Sequence, residues 1–170
     1  MKIDVSIEGV APGLLMNRFA ESSAEQPNVE ETAYKNQEGK LYQPAEHILR
    51  AMTIAASSFR VEGRRRANYA KSFGSGLVVI EPPEIVHKNQ SWVVDTRPVK
   101  TKGKKRTARH RVCLPNWGLD FTILAGDGVS SDVVKSVLEY AGSHVGIGDF
   151  RPQRKGPFGR FKVTKFDVAQ

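Results

Sequence analysis

The residues of this sequence best suited to chemistry are three clusters of lysine and arginine. The densest lies between positions 97 and 111 and contains no acid. Its members are Arg97, Lys100, Lys102, Lys104, Lys105, Arg106, Arg109 and Arg111. The second comprises Arg60, Arg64, Arg65 and Arg66, and the third comprises Arg151, Arg154, Lys155, Arg160, Lys162 and Lys165. Clustered cations attract polyanions and release counterions, so three clusters predict binding to a phosphate backbone, whereas one alone would equally fit a solvated surface.

The segment 145–161, called the glycine-rich loop below, mixes the third cluster with glycines and aromatic residues. Its glycines are Gly146, Gly148, Gly156 and Gly159, and its aromatic residues include Phe150 and Phe158. Glycine permits positive φ and close backbone approach, cations hold phosphates, and aromatic rings stack on bases. The segment has no Gly-Lys-Ser/Thr and precedes a strand, which excludes a Walker loop. The alternative interpretation is a tight corner whose aromatic rings fill the core.

One histidine has the surroundings that acid–base chemistry needs. His47 lies in the first turn of a predicted helix, with Tyr42 and Arg50 nearby. RNA cleavage needs a group with a pKa near neutral and a cation for the developing phosphate charge. A histidine without a role is the simpler alternative, and no pair of carboxylates has the spacing of a two-metal site. We therefore predict no catalytic residue, metal or cofactor, and keep His47 as the candidate if the protein is a nuclease.

The composition of the chain is that of one globular domain. Its 170 residues are 39% hydrophobic and 26% charged, with a net charge of +8. No apolar run approaches the ~20 residues of a membrane span, and the N-terminus alternates where a signal peptide would be apolar. The single cysteine, Cys113, excludes an internal disulfide. These features predict a single domain over 1–170 in the cytoplasm, with no membrane contact.

The elements that must position these residues follow from hydrophobic periodicity and turn residues. Apolar and polar residues alternate over 2–8, and helical stripes cover 44–59 and 131–142. Further strands are predicted over 77–80, 91–99, 107–114, 117–124 and 160–168. Insertions are predicted near 10–42, as a loop, and near 86–115, as a basic β-hairpin with a cationic tip. Without them the order is strand, helix, strand, strand, helix, strand.

That order predicts an α+β, ferredoxin-like (βαββαβ) fold with a four-stranded antiparallel sheet. Both helices should cover one face of the sheet, leaving the other open, and RNA-recognition domains use such an open face. The predicted shared core comprises Ile3, Val5, Ile7, Ile48, Met52, Phe59, Leu119, Phe121, Ile123, Val134 and Leu138.

The glycine-rich loop also resembles a known family. Val145-Gly146-Ile147-Gly148, a basic linker and then Gly156-Pro157-Phe158-Gly159 before the last strand resemble the C-terminal loop of the RAMP superfamily. Its members are ferredoxin-like RNA-binding subunits of CRISPR effector complexes and guide-RNA-processing relatives. The hairpin is similar to the thumb of subunits that line guide RNA as a filament. In the processing endoribonucleases the catalytic histidine sits on the first helix, which would be His47 here. A stand-alone, phage-type relative fits the same features.

The leading hypothesis is a non-catalytic protein that binds RNA or single-stranded DNA, as a homo-oligomer along the strand or in a ribonucleoprotein complex. Its expected contacts are the cations of the 97–111 cluster with Arg151, Arg154, Lys155 and Arg160, and the four glycines of the loop. Two alternatives stay open. The protein is a metal-independent endoribonuclease using His47, or it is an assembly protein whose hairpin docks on an acidic partner.

Overall fold

A computed structural model of the protein describes residues 1–18, 28–100, 103 and 105–169. Its strands are β1 (Lys2–Gly9), β2 (Leu14–Met16), β3 (Tyr42–Pro44), β4 (Val78–Glu81), β5 (Glu84–Val86), β6 (Val93–Lys100), β7 (Arg106–Leu114), β8 (Gly118–Ala125) and β9 (Phe161–Val168). Its α-helices are α1 (Ala45–Ala56), α2 (Ala70–Gly74) and α3 (Ser131–Tyr140). The prediction of an α+β fold is confirmed. In the described residues no helix is long and apolar enough to cross a bilayer.

The central sheet has the strand order β4-β8-β1-β9, and every neighbouring pair is antiparallel. Alternation in β1 turns Ile3, Val5 and Ile7 inward, where each is at most 2% exposed. These residues lie opposite Ile123, Phe121 and Leu119 of β8, which are also buried. The register therefore joins the apolar residues of the two strands into one continuous face.

Helices α1 and α3 bury their apolar stripes in the same core as that face. Ile48 and Met52 of α1 and Val134 and Leu138 of α3 are fully buried, and each such side chain contributes about 1.5–3 kcal/mol. The hydroxyl of Ser130 accepts a hydrogen bond from a first-turn amide and caps α3. All the predicted core residues are buried except Phe59, which is partly buried against this core.

A second sheet, ordered β2-β7-β6, stands beside the first. Strands β6 and β7 form the predicted hairpin, with Lys100 opposite Arg106 at its outer end. Strand β2 adds to the hairpin base, where Leu15 pairs with Cys113. A small third sheet pairs β3 with β5.

Within the segment 10–42, predicted as a loop, the structure has strand β2 and a 3-10 turn at Val29–Thr32, and β3 begins at its last residue. Strands of three residues are too short to show alternation, so periodicity misses them. The helix predicted over 131–142 is α3, and it ends later than predicted. It continues through a π-helical turn at Ala141–Val145 and stops at Gly146, whose φ is +71°. Gly142, the last residue of the predicted helix, therefore lies inside this turn.

The uncovered face of the central sheet is polar and carries both signs of charge. On this face the Asp4 carboxylate accepts a hydrogen bond from the Thr122 hydroxyl, and the Ser6 hydroxyl donates one to the Asp120 carboxylate. Lys165 of β9 lies opposite Ser6. Cross-strand pairs of this kind satisfy one another, so this face does not concentrate positive potential.

His87 is the most deeply buried histidine. It is 2% exposed, its ring packs edge-on against Trp117, and neither ring nitrogen has a hydrogen-bond partner within the described residues. Burial disfavours the charged imidazolium and lowers the pKa of His87 from 6.5 to about 4. The folded protein therefore holds His87 neutral at every pH above about 4.

We expect acid to destabilise the protein through His87. Between about pH 4 and pH 6.5 the unfolded chain binds a proton here that the folded protein does not. The unfolding free energy should therefore be unaffected by His87 above pH 6.5 and decrease by about 3 kcal/mol as the pH is lowered to 4. Urea unfolding at pH 7 and pH 4 should show a smaller difference for His87→Leu than for wild type. His144→Leu, at an exposed histidine, is the control; equal pH dependence in wild type and His87→Leu would contradict the prediction.

Candidate nucleic-acid interface

The glycine-rich loop folds into an arch that is hydrogen-bonded within itself. The Ile147 amide donates to the Gly159 carbonyl over 3.0 Å, and the Phe158 amide donates to the Phe150 carbonyl over 3.1 Å. A 3-10 turn at Pro152–Arg154 forms the crown of the arch. The loop is therefore a defined structure that can present its cations in fixed positions.

The arch is anchored along β2. The Gly159 amide donates to the Gly13 carbonyl over 2.8 Å, and the Asp149 amide donates to the Leu15 carbonyl over 2.9 Å. At Gly159 the φ is +74°, and an added Cβ would overlap the Ile147 carbonyl oxygen. At Gly148 the φ is +77°, and a Cβ would lie 2.5 Å from the Leu15 carbonyl oxygen. Both positions need glycine for conformation and for close backbone approach.

The base of the hairpin docks on the arch through charged and aromatic groups. The Arg111 Nε lies 3.0 Å from the Asp149 Oδ2, an ion pair without hydrogen-bond alignment. The Arg97 guanidinium lies 4.7 Å from the centre of the Phe158 ring and 5.6 Å from that of Phe150. Cation–π contacts and the buried ion pair join hairpin and arch into one body.

The contact between the hairpin and the arch determines which cations of the 97–111 cluster face solvent. Arg111 is 6% exposed and serves the ion pair, so we leave it out of the proposed contacts with nucleic acid. Arg97 stacks on the arch and pairs with Asp95 over 2.9 Å, leaving its side chain 40% exposed. Arg109 is half-buried, and the exposed cations near the tip are Lys100, Lys105 and Arg106. The predicted contacts Lys102 and Lys104 lie outside the described residues.

A cleft of about 280 Å³ opens between α1, β2 and the arch. Three arginines line it, namely Arg50 from α1 with Arg151 and Arg154 from the arch. Gly146 and Gly148 also line it, whereas Gly156, Gly159, Lys155 and Arg160 do not. Among the described residues no group of three or more His, Cys, Asp or Glu side chains is arranged to hold a metal.

The cations in the cleft crowd one another. The Arg151 guanidinium donates to the Gly148 carbonyl over 2.9 Å and to the Gln153 Oε1, which fixes its position. Burial, followed by repulsion from Arg154 and, more weakly, Arg50, lowers the pKa of Arg151, and only Asp149 opposes the effect. A site that brings like charges together in this way gains from a bound anion.

His47 also lines this cleft, beneath the edge of a tyrosine ring. Its ring centroid lies 5.2 Å from that of Tyr34, at an interplanar angle of 81°. With the Gln43 amide nitrogen 2.6 Å away as the donor, Nδ1 is the acceptor and Nε2 carries the proton. Burial, then the charge of Arg151, lowers the pKa of His47. Glu46 opposes this shift, and Arg50 adds a smaller lowering effect. The imidazole is therefore neutral at pH 7.

Sequence reasoning missed three residues of the cleft. Arg50 was considered only as a neighbour of His47. Tyr34 carried no signal because it lies in the segment predicted as a loop, and Gln43 lies between that segment and the predicted helix. One signal was available for Arg50, because it follows His47 by three residues on the predicted helix and must lie near the same face.

No protein-family model matches the chain, and no curated protein matches it by sequence. Solved structures do match its shape. A chain in the cryo-EM structure of the type III-B Cmr-beta complex bound to cognate target RNA matches with a TM-score of 0.64 and 16% identity, over 99% of this chain. A chain of a type IV-B CRISPR complex matches with a TM-score of 0.54 and 10% identity, over 99% of this chain and 91% of that one. This chain spans 60% of the length of the Cmr-beta chain. It therefore shares its fold with subunits of CRISPR effector complexes.

Proposed function

We propose that this chain is a RAMP-superfamily protein with a ferredoxin-like core, which binds RNA in a ribonucleoprotein complex without cleaving it. The observation that carries the proposal is the convergence of Arg50, Arg151 and Arg154 on one cleft beside the arch. Three cations that repel one another gain most from a phosphate backbone, which supplies closely spaced negative charges. The strand order β4-β8-β1-β9 supports a ferredoxin-like core with core strands ordered 4-1-3-2 from β9.

The size and walls of the cleft, together with the adjoining hairpin, favour single-stranded RNA over duplex RNA as the ligand. The cleft holds about 280 Å³ and has Tyr34 and His47 among its walls, so it suits a nucleotide with an accessible base. The hairpin base adjoins the same arch, so a strand in the cleft can continue towards Lys100 and Arg106. The proposal includes copies of the chain aligned along one strand. Single-stranded DNA is the alternative ligand, which a comparison of the two oligonucleotides would identify.

Arg151→Gln with Arg154→Gln should weaken RNA binding about tenfold or more, because each removes a charge-assisted contact. The salt dependence, as the slope of log K against log salt, should fall by about 1.4, at ~0.7 per lost contact with a single strand. The measurement is a fluorescence titration at several salt concentrations, with thermal unfolding to establish that the variant folds. Lys162→Gln with Lys165→Gln, on the uncovered sheet face, removes the same charge and should leave the affinity unchanged. Equal effects of the two pairs would refute the cleft as the binding site.

A metal-independent endoribonuclease is the second candidate, favoured by the position of His47. With the Gln43 amide turned so that its buried Oε1 accepts from Nδ1–H, the bare Nε2 of the neutral imidazole can accept a 2′-hydroxyl proton while Arg50 and Arg151 stabilise the phosphate. Incubation of labelled RNA with chelator distinguishes the two proposals. Intact RNA supports the binder, whereas cleavage that disappears in His47→Ala supports the nuclease. Retained cleavage in that variant would indicate contamination.

A further inference from the structure

The second arginine cluster forms an exposed surface on the segment 57–69, called the arginine lobe below. Arg60, Arg64, Arg65 and Arg66 are exposed there, against a single acid, Glu62. Within the described residues none of the four arginines forms a salt bridge. An unpaired cluster of this density favours a polyanionic ligand.

The lobe has a defined backbone. The Val61 amide donates to the Ala67 carbonyl over 3.0 Å, and the Tyr69 amide donates to the Phe59 carbonyl over 3.1 Å. An isolated β-bridge pairs Arg60 with Asn68. These bonds close the segment at its root, so its arginines project from a structured support.

A stacked aromatic pair adjoins the root of the lobe. The Phe59 ring meets the Tyr140 ring edge-on at 5.7 Å, and the Tyr140 ring stacks on His144 at 4.2 Å with an interplanar angle of 10°. His144 is exposed, so the ring face away from Tyr140 can accept a base. Aromatic faces of this kind bind successive bases without sequence preference.

The lobe and the aromatic pair continue the line of the cleft. Val145, adjacent to His144, lines the cleft, and so does Ile54, five residues before Phe59. Between Arg50 and the end of α1 at Ala56 the helix rises about 9 Å. A strand that leaves the cleft along α1 therefore runs towards the C-terminal end of that helix, after which the lobe begins and Phe59 contacts Tyr140.

We propose that the arginine lobe and the Tyr140–His144 stack form a second binding segment for single-stranded RNA, which holds the strand beyond the cleft. The inference rests on the proposed function, because the cleft supplies the other segment of the strand. The guanidinium groups contact phosphates, and His144 stacks on a base. An acidic protein would be attracted to the same arginines, but it has no bases to stack on the exposed His144 ring.

The experiment uses RNA of two lengths with two charge-matched variants, each carrying three substitutions. Arg64→Gln, Arg65→Gln and Arg66→Gln together should weaken binding of an oligonucleotide of about 16 residues tenfold or more, and lower its salt slope by about 2. The same variant should bind an oligonucleotide of about 4 residues as wild type does, because the short strand fits the cleft alone. Lys2→Gln, Lys162→Gln and Lys165→Gln together remove equal charge from the opposite sheet face and should change neither affinity.

His144→Ala tests the stack separately. It should weaken binding of the long oligonucleotide about fivefold or more without changing the salt slope, since stacking involves no counterion release. Unchanged binding of the long oligonucleotide by the lobe variant would overturn the proposal and leave an acidic partner as the lobe's ligand. Equal weakening of the short one would also overturn it. If Arg151→Gln with Arg154→Gln has no effect while the lobe variant does, the cleft proposal fails and the lobe is the RNA site.

Discussion

Gly159→Ala should reduce the unfolding free energy by about 2–5 kcal/mol, although it removes no functional group. Part of the loss, about 1–2 kcal/mol, comes from placing a Cβ at a φ of +74°. The remainder, about 1–3 kcal/mol, comes from its overlap with the Ile147 carbonyl oxygen, which must move and break the arch.

Gly39→Ala separates these two causes. Gly39 has a φ of +75°, nearly that of Gly159, but a Cβ there would meet no atom within 4 Å. It should therefore lose only the conformational part, about 1–2 kcal/mol. Urea denaturation of both variants measures the difference. Equal losses would show that the close approach of residues 147 and 159 contributes nothing to stability.

Arg111→Met should reduce the unfolding free energy by about 3 kcal/mol, because it leaves the Asp149 carboxylate without its ion-pair partner. We place the loss at the low end for buried pairs because the Asp149 side chain is 28% exposed and partly screened. Asp149→Asn should also destabilise the protein. The double variant should cost less than the sum of the single ones, since it leaves no unpaired charge.

RNA binding provides the second readout for Arg111. Once folded, at low temperature, Arg111→Met should bind RNA with the salt slope of wild type, because Arg111 joins the hairpin to the arch and contacts no phosphate. Arg106→Gln, at the exposed outer end of the hairpin, is the matched control and should lower the slope by about 0.7 without loss of stability. A lowered salt slope for Arg111→Met would contradict this prediction and show that Arg111 contacts the nucleic acid.

Periodic patterns predicted the parts of this fold whose stability comes from burial. Alternation at Ile3, Val5 and Ile7 and the helical stripe through Ile48 and Met52 report directly which side chains leave water. The hairpin was predicted because both of its strands are long and β-prone. These signals are local, so one sequence is enough to detect them.

The features that the sequence did not predict depend on contacts between segments far apart in the chain. Arg111 precedes an apolar run whereas Arg106 follows two lysines, but this local difference does not predict an ion pair with Asp149, which lies 38 residues later. Strand β2 exists because the hairpin base and the arch both bond to it. The sequence singled out the glycines and cations of the arch, but their division between packing and the cleft required coordinates.

Because the hairpin is attached to the arch, the distance between the cleft and the hairpin tip is fixed. Strand β6 has eight residues and spans about 26 Å at ~3.3 Å per residue, and Arg97, near its midpoint, attaches it to the arch. The spacing between a contact in the cleft and a contact at the hairpin tip is then set by the number of residues in two strands. Adding a pair of residues to each strand would lengthen that spacing by about 7 Å and keep every side chain on its original face.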